Sequence, residues 1–431
     1  MTSAPSPPSA ATVPQDVLRD TVAFYLDLHA HPELSGDERR TAEAFARRLA
    51  REGCTVTRGV GGHGVVGVLA NGPGPTVLLR AELDALPVPE ETGLPYASTV
   101  PGVMHACGHD LHLAALAGAV TVLARDRSGW SGTLLVVGQP SEETLSGARA
   151  MLADGLYERF GTPHVALAQH TAPLPAGTVA HVAAGAPVLA GGVTLDVVVH
   201  GRGGHAGAPH LTVDPVLTAA AVVMRLQGVV ARETAPAEQV VLTVGALHAG
   251  ERANVVPDAA RLAIGVRGFT EAALDRVTEA VRRIVRAEST ASGCPAEPTL
   301  SVDSRSPALV PDPGTTDALR GVHTDVLGAA RVLTWHPATA TEDFAWYGPA
   351  GAALHGVRHV RTGYWMLGAT GVREWRAAGD RPGGPPGNHS PHFAPDVRTA
   401  LPAGVRALVS AARHELAGGR PRAEDGDEGR A

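Results

Sequence analysis

The sequence predicts an α/β fold in two parts: a larger domain built on a sheet, and a smaller βαββα unit inserted into it. Three observations predict this. Apolar, β-branched runs at Thr76–Arg80, Thr133–Val137 and Val165–Ala168 each lead straight into acidic or histidine residues: Glu82 and Asp84, then Glu142 and Glu143, then His170. Helix-periodic stretches separate these runs, which is the alternation of a doubly wound sheet. From about Ala186 the order becomes strand, helix, strand, strand, helix, and after about Pro298 the first pattern resumes. At 431 residues, 44% hydrophobic and 18% charged, the chain is long enough for two domains.

Residues 15–186 and 299–418 read as the larger domain and 187–298 as the insertion. Residues 1–14 and 419–431 read as disordered ends, the first rich in Pro, Ser and Ala, the second in Gly and charge. Asp16–Leu28 is helix-periodic. The turn Leu28-His29-Ala30-His31-Pro32-Glu33-Leu34 follows, with Ser35 or Asp37 as candidate cap of a helix running to Glu52. His29 and His31 invite a metal reading, but Pro32 and the following cap fit a structural turn better. Val65–Leu69 and Thr76–Arg80 read as strands joined by a tight turn at Asn71-Gly72-Pro73-Gly74. Helices are expected at Leu111–Ala124 and Ala148–Tyr157. In the insertion, Val193–His200, Val240–Ala246 and Ala260–Val266 are strands, and Asp214–Ala231 and Glu271–Ser289 are helices. One sheet with two helices is the expected result.

Composition narrows the function classes. Lys+Arg is 36 against Asp+Glu 43, for a formal charge of -7, and every basic residue is Arg. A mildly acidic chain with no basic block is a poor nucleic-acid binder. Three cysteines make no disulfide framework, and Cys54 and Cys294 read as small core residues. The N-terminal stretch lacks the basic start and apolar core of a signal peptide, and no apolar run reads as membrane-spanning. A soluble, cytoplasmic protein without membrane partners is expected.

The chemistry concentrates in Met104-His105-Ala106-Cys107-Gly108-His109-Asp110-Leu111-His112. Thiolate and imidazole two residues apart suit a borderline-soft cation such as zinc. Taken alone, the stretch equally fits a buried Cys with histidines near a helix start. Gathered with the strand ends, Cys107, His109, Glu142, Glu143, His170 and the late His389 supply enough ligands for two metals about 3.5–4 Å apart, with one carboxylate left as a base. Adjacent glutamates in a turn diverge, so one binds metal while the other faces the substrate water.

These residues resemble the amidohydrolase branch of the aminoacylase–hippurate hydrolase metallopeptidases, which includes auxin-amide hydrolases and N-acetyl-diaminopimelate deacetylases. The matching stretches are 28–34, 80–87, 102–112, 139–143, His170 with 174–178, 203–210, Asn254-Val255-Val256-Pro257-Asp258, Thr341-Glu342-Asp343-Phe344 and His389-Ser390-Pro391. The resemblance implies a mixed-sheet, co-catalytic dimetal domain with a ferredoxin-like lid and dimerisation domain inserted. It implies Cys107, His109, Glu143, His170 and His389 as metal ligands, and Glu142 as general base. Asp84 would orient a ligating His. His205 would donate to the oxyanion in a neighbouring subunit's site. Asn254 and Arg267 would contact the substrate carbonyl and carboxylate; for Arg267 a surface pair with Asp258 is the competing reading. Glu342 and Asp343 either cap the turn that follows or orient ligands. His112, His210 and His392 read as structural.

The implied reaction is hydrolysis of the amide of a small N-acyl amino acid to a carboxylate and a free amine, by a homodimer joined through the inserted domain. The metals would be two divalent ions, zinc or manganese with cobalt allowed. The alternatives are a dipeptidase or carboxypeptidase on the same core, and a noncatalytic metal-binding protein. Three departures stand out. Glu82 replaces a usual Asp, Leu111 replaces a small residue, and Gly138 replaces an aromatic, which is expected to widen the pocket. The Gly-, Pro- and Arg-rich segment 369–387 is expected either to cover the site mouth or to form an open loop.

Overall fold

The computed structural model describes residues 12–379 and 384–417. The expected disorder at residues 1–11 and 419–431 lies outside them. The strands are β1 (Thr55–Val60), β2 (Gly64–Asn71), β3 (Thr76–Glu82), β4 (Gly132–Gln139), β5 (Val165–Pro175), β6 (Val179–His181), β7 (Leu189–His200) and β8 (Gly204–His205). Then come β9 (Val240–His248), β10 (Val255–Val256), β11 (Ala259–Gly268), β12 (Thr299–Ser306), β13 (Val332–Thr334), β14 (Ala338–Thr341) and β15 (Arg361–Thr370). The α-helices are α1 (Gln15–His29), α2 (Arg39–Arg51), α3 (His109–Arg125), α4 (Gly147–Ala153), α5 (Leu156–Phe160), α6 (Pro215–Glu233), α7 (Glu271–Ala291), α8 (Pro313–Leu327), α9 (Ala352–His355), α10 (Val372–Ala378) and α11 (Val397–Ala417).

The chain forms two compact units. The first comprises Met1–Ala186, Pro311–His336 and Trp346–Ala431, and the second Pro187–Val310 and Pro337–Ala345. The first unit carries an eight-stranded mixed sheet in the order β1-β2-β4-β3-β5-β15-β6-β13. Its centre is parallel: β3 lies between β4 and β5, with Glu82 opposite Gln139 and Arg80 opposite Ala168. This register brings the carboxyl ends of three strands to one edge, where α/β sheets place their sites. The strands β2 and β3 are consecutive but not neighbours. The turn between them hands β3 past β4, which pairs antiparallel with β2 and parallel with β3. The tight turn expected from the sequence therefore does not close a hairpin, because the apolar run at β4, buried from Leu134 to Val137, takes the central position.

The helix α3 explains why the run after His109 is almost wholly apolar. Leu111, Leu113, Leu116, Val120 and Leu123 are all buried, and α3 packs against α1, α11 and the sheet. Full burial of one such leucine contributes roughly 1.5–3 kcal/mol. The start of α2 differs from the expected cap. The Glu33 carboxylate accepts from Arg40 N (3.0 Å) and Thr41 N (2.8 Å), filling the role assigned to Ser35 or Asp37.

In the second unit, β12-β7-β11-β9 form an antiparallel path, and β14 joins β7 in parallel. The helices α6 and α7 pack together over this sheet around Val222, Leu226, Leu262, Ile264, Val277 and Val281. The expected βαββα order is β7, α6, β9, β11, α7. The helix α6 is long and apolar enough to cross a membrane by length and composition alone. In the fold, Thr218, Ala219, Val222, Leu226 and Val229 bury one of its faces.

Candidate metal centre

The sheet edge and three turns assemble the expected ligands of the first unit. β3 delivers Glu82 and runs on to Asp84, the turn after β4 carries Glu142 and Glu143, β5 carries His170, and the start of α3 carries Cys107 and His109. His389 enters from the segment before α11, and its N–H donates to Ala106 O (2.8 Å). Gly108 makes the turn between Cys107 and α3 at φ 80°, and a Cβ there would meet Thr171 Oγ1 at 2.6 Å. Three non-glycine residues adopt positive φ among the described residues: Ser141 (52°), Leu145 (55°) and His389 (69°). His389 is an expected ligand, and Ser141 and Leu145 lie within two residues of Glu143. Each such backbone costs on the order of 1–3 kcal/mol and persists only where its surroundings hold it. Glu38 holds Ser141, accepting from its N–H at 2.8 Å and its hydroxyl at 3.2 Å.

The donor atoms face one another at distances that suit a shared ion. Cys107 Sγ lies 3.5 Å from His170 Nε2. His109 Nε2 lies 3.7 Å from Glu142 Oε2 and 3.8 Å from Glu143 Oε1, and His389 Nε2 lies 3.4 Å from Glu143 Oε2. Ligands about 2.0–2.3 Å from one tetrahedral ion are roughly 3.3–3.8 Å apart. Among the described residues of the first unit, four groupings fall within 4.8 Å: Cys107 with His109 and His170, Cys107 with Glu143 and His389, His109 with Glu142 and Glu143, and Glu82 with His109 and His112. His109 Nε2 is buried without a hydrogen-bond partner, an orphaned donor or acceptor that a cation would satisfy. The residues present therefore fit a metal centre, with Cys107 common to two of the groupings.

The tautomers fit as well. His170 Nδ1 donates to Thr171 O (2.8 Å), which leaves the Nε2 lone pair facing Cys107. His109 Nδ1 lies 2.9 Å from Asp84 O and 3.2 Å from its Oδ1, which turns its Nε2 toward Glu142 and Glu143. Asp84 Oδ2 also accepts from Ser35 Oγ (2.7 Å) and Glu143 N (2.9 Å), so one carboxylate aligns two expected ligands. Burial and then the Glu143 charge push the Cys107 thiol up to about 12. A bound divalent cation reverses that preference and favours the thiolate. Burial opposes ionisation of Asp84, but the His109 contacts outweigh it and hold the carboxyl below its usual range.

The remaining expected residues lie in the second unit. His205 pairs with Val255 across β8 and β10, and Ala206 N donates to Asn254 O (3.1 Å), so His205 and Asn254 are neighbours. Gly207 N donates to His205 Nδ1 (2.9 Å), so the ring proton sits on Nε2. Arg267, on β11, donates to Thr339 O (2.8 Å), and this carbonyl rather than Asp258 is its partner. Glu342 Oε1 accepts from Asp343 N (2.8 Å) and Phe344 N (2.9 Å), the capping alternative. Gly138 opens no space, because Phe45 and Leu83 fill its surroundings and a Cβ there would meet Phe45 at 2.8 Å. The segment 369–387 contains the end of β15 and α10; residues 380–383 lie outside the described ones. Sequence reasoning gave no site role to Ser35, Glu38 or Thr171, and placed Asn388 in the potential ligand group with His389 without a role of its own. Each is an ordinary polar residue that only the fold brings to the site: Ser35 to Asp84, Glu38 to Ser141, Thr171 to Cys107 and His170, and Asn388 to Cys107.

The family model described as Peptidase family M20/M25/M40 matches residues 78–414. The chain is 34% identical to a hippurate hydrolase of Campylobacter jejuni over 322 residues, covering 74% of this chain and 82% of the relative. It is 33% identical to thermostable carboxypeptidase 1 of Saccharolobus solfataricus over 322 residues, covering 74% and 80%. Among solved structures it is similar to the Bacillus subtilis YXEP protein, described as a dinuclear metal binding peptidase from the M20 family. The TM-score is 0.71 at 26% identity, covering 94% of this chain and 99% of that one.

Proposed function

This chain belongs to peptidase family M20/M25/M40, and from that premise we propose that it is a metal-dependent amidohydrolase cleaving small N-acyl amino acids to a carboxylate and a free amine. The observation that carries the reading is the convergence of Cys107, His109, Glu143, His170 and His389 beside Glu142, a carboxylate buried at 5% exposure. A purely structural metal site has no need of that extra carboxylate. We assign the five residues as ligands of two divalent ions. The thiolate favours zinc, while the carboxylates also admit manganese or cobalt. Such ions, when bound, polarise a carbonyl and acidify a water.

The chain's own residues do the rest. Glu142 accepts the proton of the attacking water and returns it to the leaving amine nitrogen. Asp84 fixes the His109 ring through its Nδ1. His205 carries its proton on Nε2, the form that donates to a developing oxyanion. Asn254 and Arg267 recognise the carbonyl and carboxylate of the substrate, the arginine through its planar fork. The inserted domain, residues 187–298 in this reading, serves as lid and homodimer contact, with His205 acting in the neighbouring subunit's site.

The hippurate hydrolase relative supports a blocked amine; the carboxypeptidase relative supports a peptide substrate as second reading. Turnover of N-acetyl and N-benzoyl amino acids against free-amine dipeptides, with manganese or zinc added, separates the two. Preference for the blocked amine is expected. Preference for the dipeptide overturns the reading in favour of a peptidase.

A further inference from the structure

A second set of buried groups lies behind the ligands, separate from Asp84. Glu82 Oε2 accepts from His112 Nδ1–H (2.8 Å), and the other Glu82 oxygen pairs with the Arg80 guanidinium. Arg80 Nε donates in turn to Gln139 Oε1 (2.8 Å). Thr171 N–H donates to His112 Nε2 (2.8 Å), which fixes the His112 proton on Nδ1. The same Thr171 accepts from His170 Nδ1 through its carbonyl and donates from Oγ1 to Cys107 O, both at 2.8 Å. Asn388 Nδ2 then ties Cys107 O (3.1 Å) to Thr171 Oγ1 (3.2 Å), one residue before His389. Arg80, Glu82, His112 and Thr171 are all almost completely buried.

We propose that His112, held by Glu82, is the positioning residue for His170 and Cys107, acting through Thr171, alongside the Asp84 set that aligns His109 and Glu143. The proposal rests on the reading of Cys107 and His170 as ligands. It gives Glu82 a physical role. Its carboxylate spans Arg80 and His112 at once, so the imidazole cannot rotate away from the Thr171 N–H. A His112 ring seated in this way holds the 170–171 peptide, and that peptide sets where the His170 Nε2 lone pair lies. The Thr171 hydroxyl does the same for the Cys107 backbone. The two sets adjoin: one donor atom each of Glu82, His112 and His109 lies within 4.8 Å of the others.

The test is cobalt(II) titration of the metal-depleted full chain, followed by chelator competition and the sulfur-to-cobalt absorption band. His112→Leu is expected to bind one of two ions about 10–100-fold more weakly, with a shifted sulfur band. His112→Gln, whose amide can donate to Glu82 and accept from Thr171, should recover part of the loss. Thr171→Val, which keeps the volume and removes the hydroxyl, should shift the sulfur band on its own, and it decides the matter if His112→Leu does not fold. Folded variants with wild-type affinities and an unshifted band overturn the proposal. A wild-type chain that binds no cobalt, or shows no sulfur band, overturns the ligand reading instead.

Discussion

Asp84 and His109 meet twice: the imidazole Nδ1 lies 2.9 Å from the Asp84 carbonyl and 3.2 Å from its carboxylate. Both contacts fix the ring with Nε2 turned to the ligand cluster. Replacing Asp84 by Asn removes the charge and leaves the side chain's size unchanged. Metal affinity is expected to fall by about 10–100-fold, read by chelator competition. Unchanged affinity would show that the carbonyl contact alone holds the ring.

Glu142 lies beside Glu143 and 3.7 Å from His109 Nε2. Glu142→Gln keeps the shape and loses the base. Metal content and the denaturation midpoint should stay near wild type, while kcat on an N-acyl amino acid falls by roughly 10²–10⁴. Retained turnover would remove Glu142 from the mechanism.

Gly108 is the single residue between Cys107 and α3, at φ 80° with Thr171 Oγ1 2.6 Å from where a Cβ would lie. Gly108→Ala pays the left-handed backbone cost of about 1–2 kcal/mol and displaces Thr171 as well. A lowered denaturation midpoint together with weakened metal binding is expected. Loss of stability alone would separate the turn from the ligands.

His29 is buried between Asp110 at 2.7 Å and Glu90 at 3.3 Å. Burial pushes its pKa down, but the two carboxylates outweigh it and raise it from 6.5 to about 9. A raised folded-state pKa contributes stability that is complete below pH 6.5 and lost as pH climbs through 9. The contribution is on the order of 3 kcal/mol. Urea unfolding between pH 6 and 9.5 should show a falling stability that His29→Phe flattens. A parallel fall in the variant assigns the slope to other groups.

The candidate ligands were legible in the sequence and their supports were not, for a physical reason. Metal ligands are a small set of residue types, so Cys107, His109 and the paired glutamates stand out even when distant in the chain. Ser35, Thr171 and Asn388 act through hydrogen bonds of a kind that any surface residue of the same type can make. His112 read as structural because its partners Glu82 and Thr171 lie on separate strands, which only sheet order brings together. The same limit applied to the fold. The apolar strands β3, β4 and β5 were visible, but β4 lying between β2 and β3 is set by pairing, not by periodicity. The edge strand β12, Thr299–Ser306, is mostly polar and half-exposed, so it left no alternation to read.

The central claim is that a thiolate, three imidazoles and a carboxylate hold two cations in the first unit. Anomalous diffraction from crystals grown with manganese or zinc tests it most directly. Two peaks about 3.5–4 Å apart, bounded by Cys107, His109, Glu143, His170 and His389, are expected. A map with no peak there, or with a single ion bound elsewhere, would contradict it.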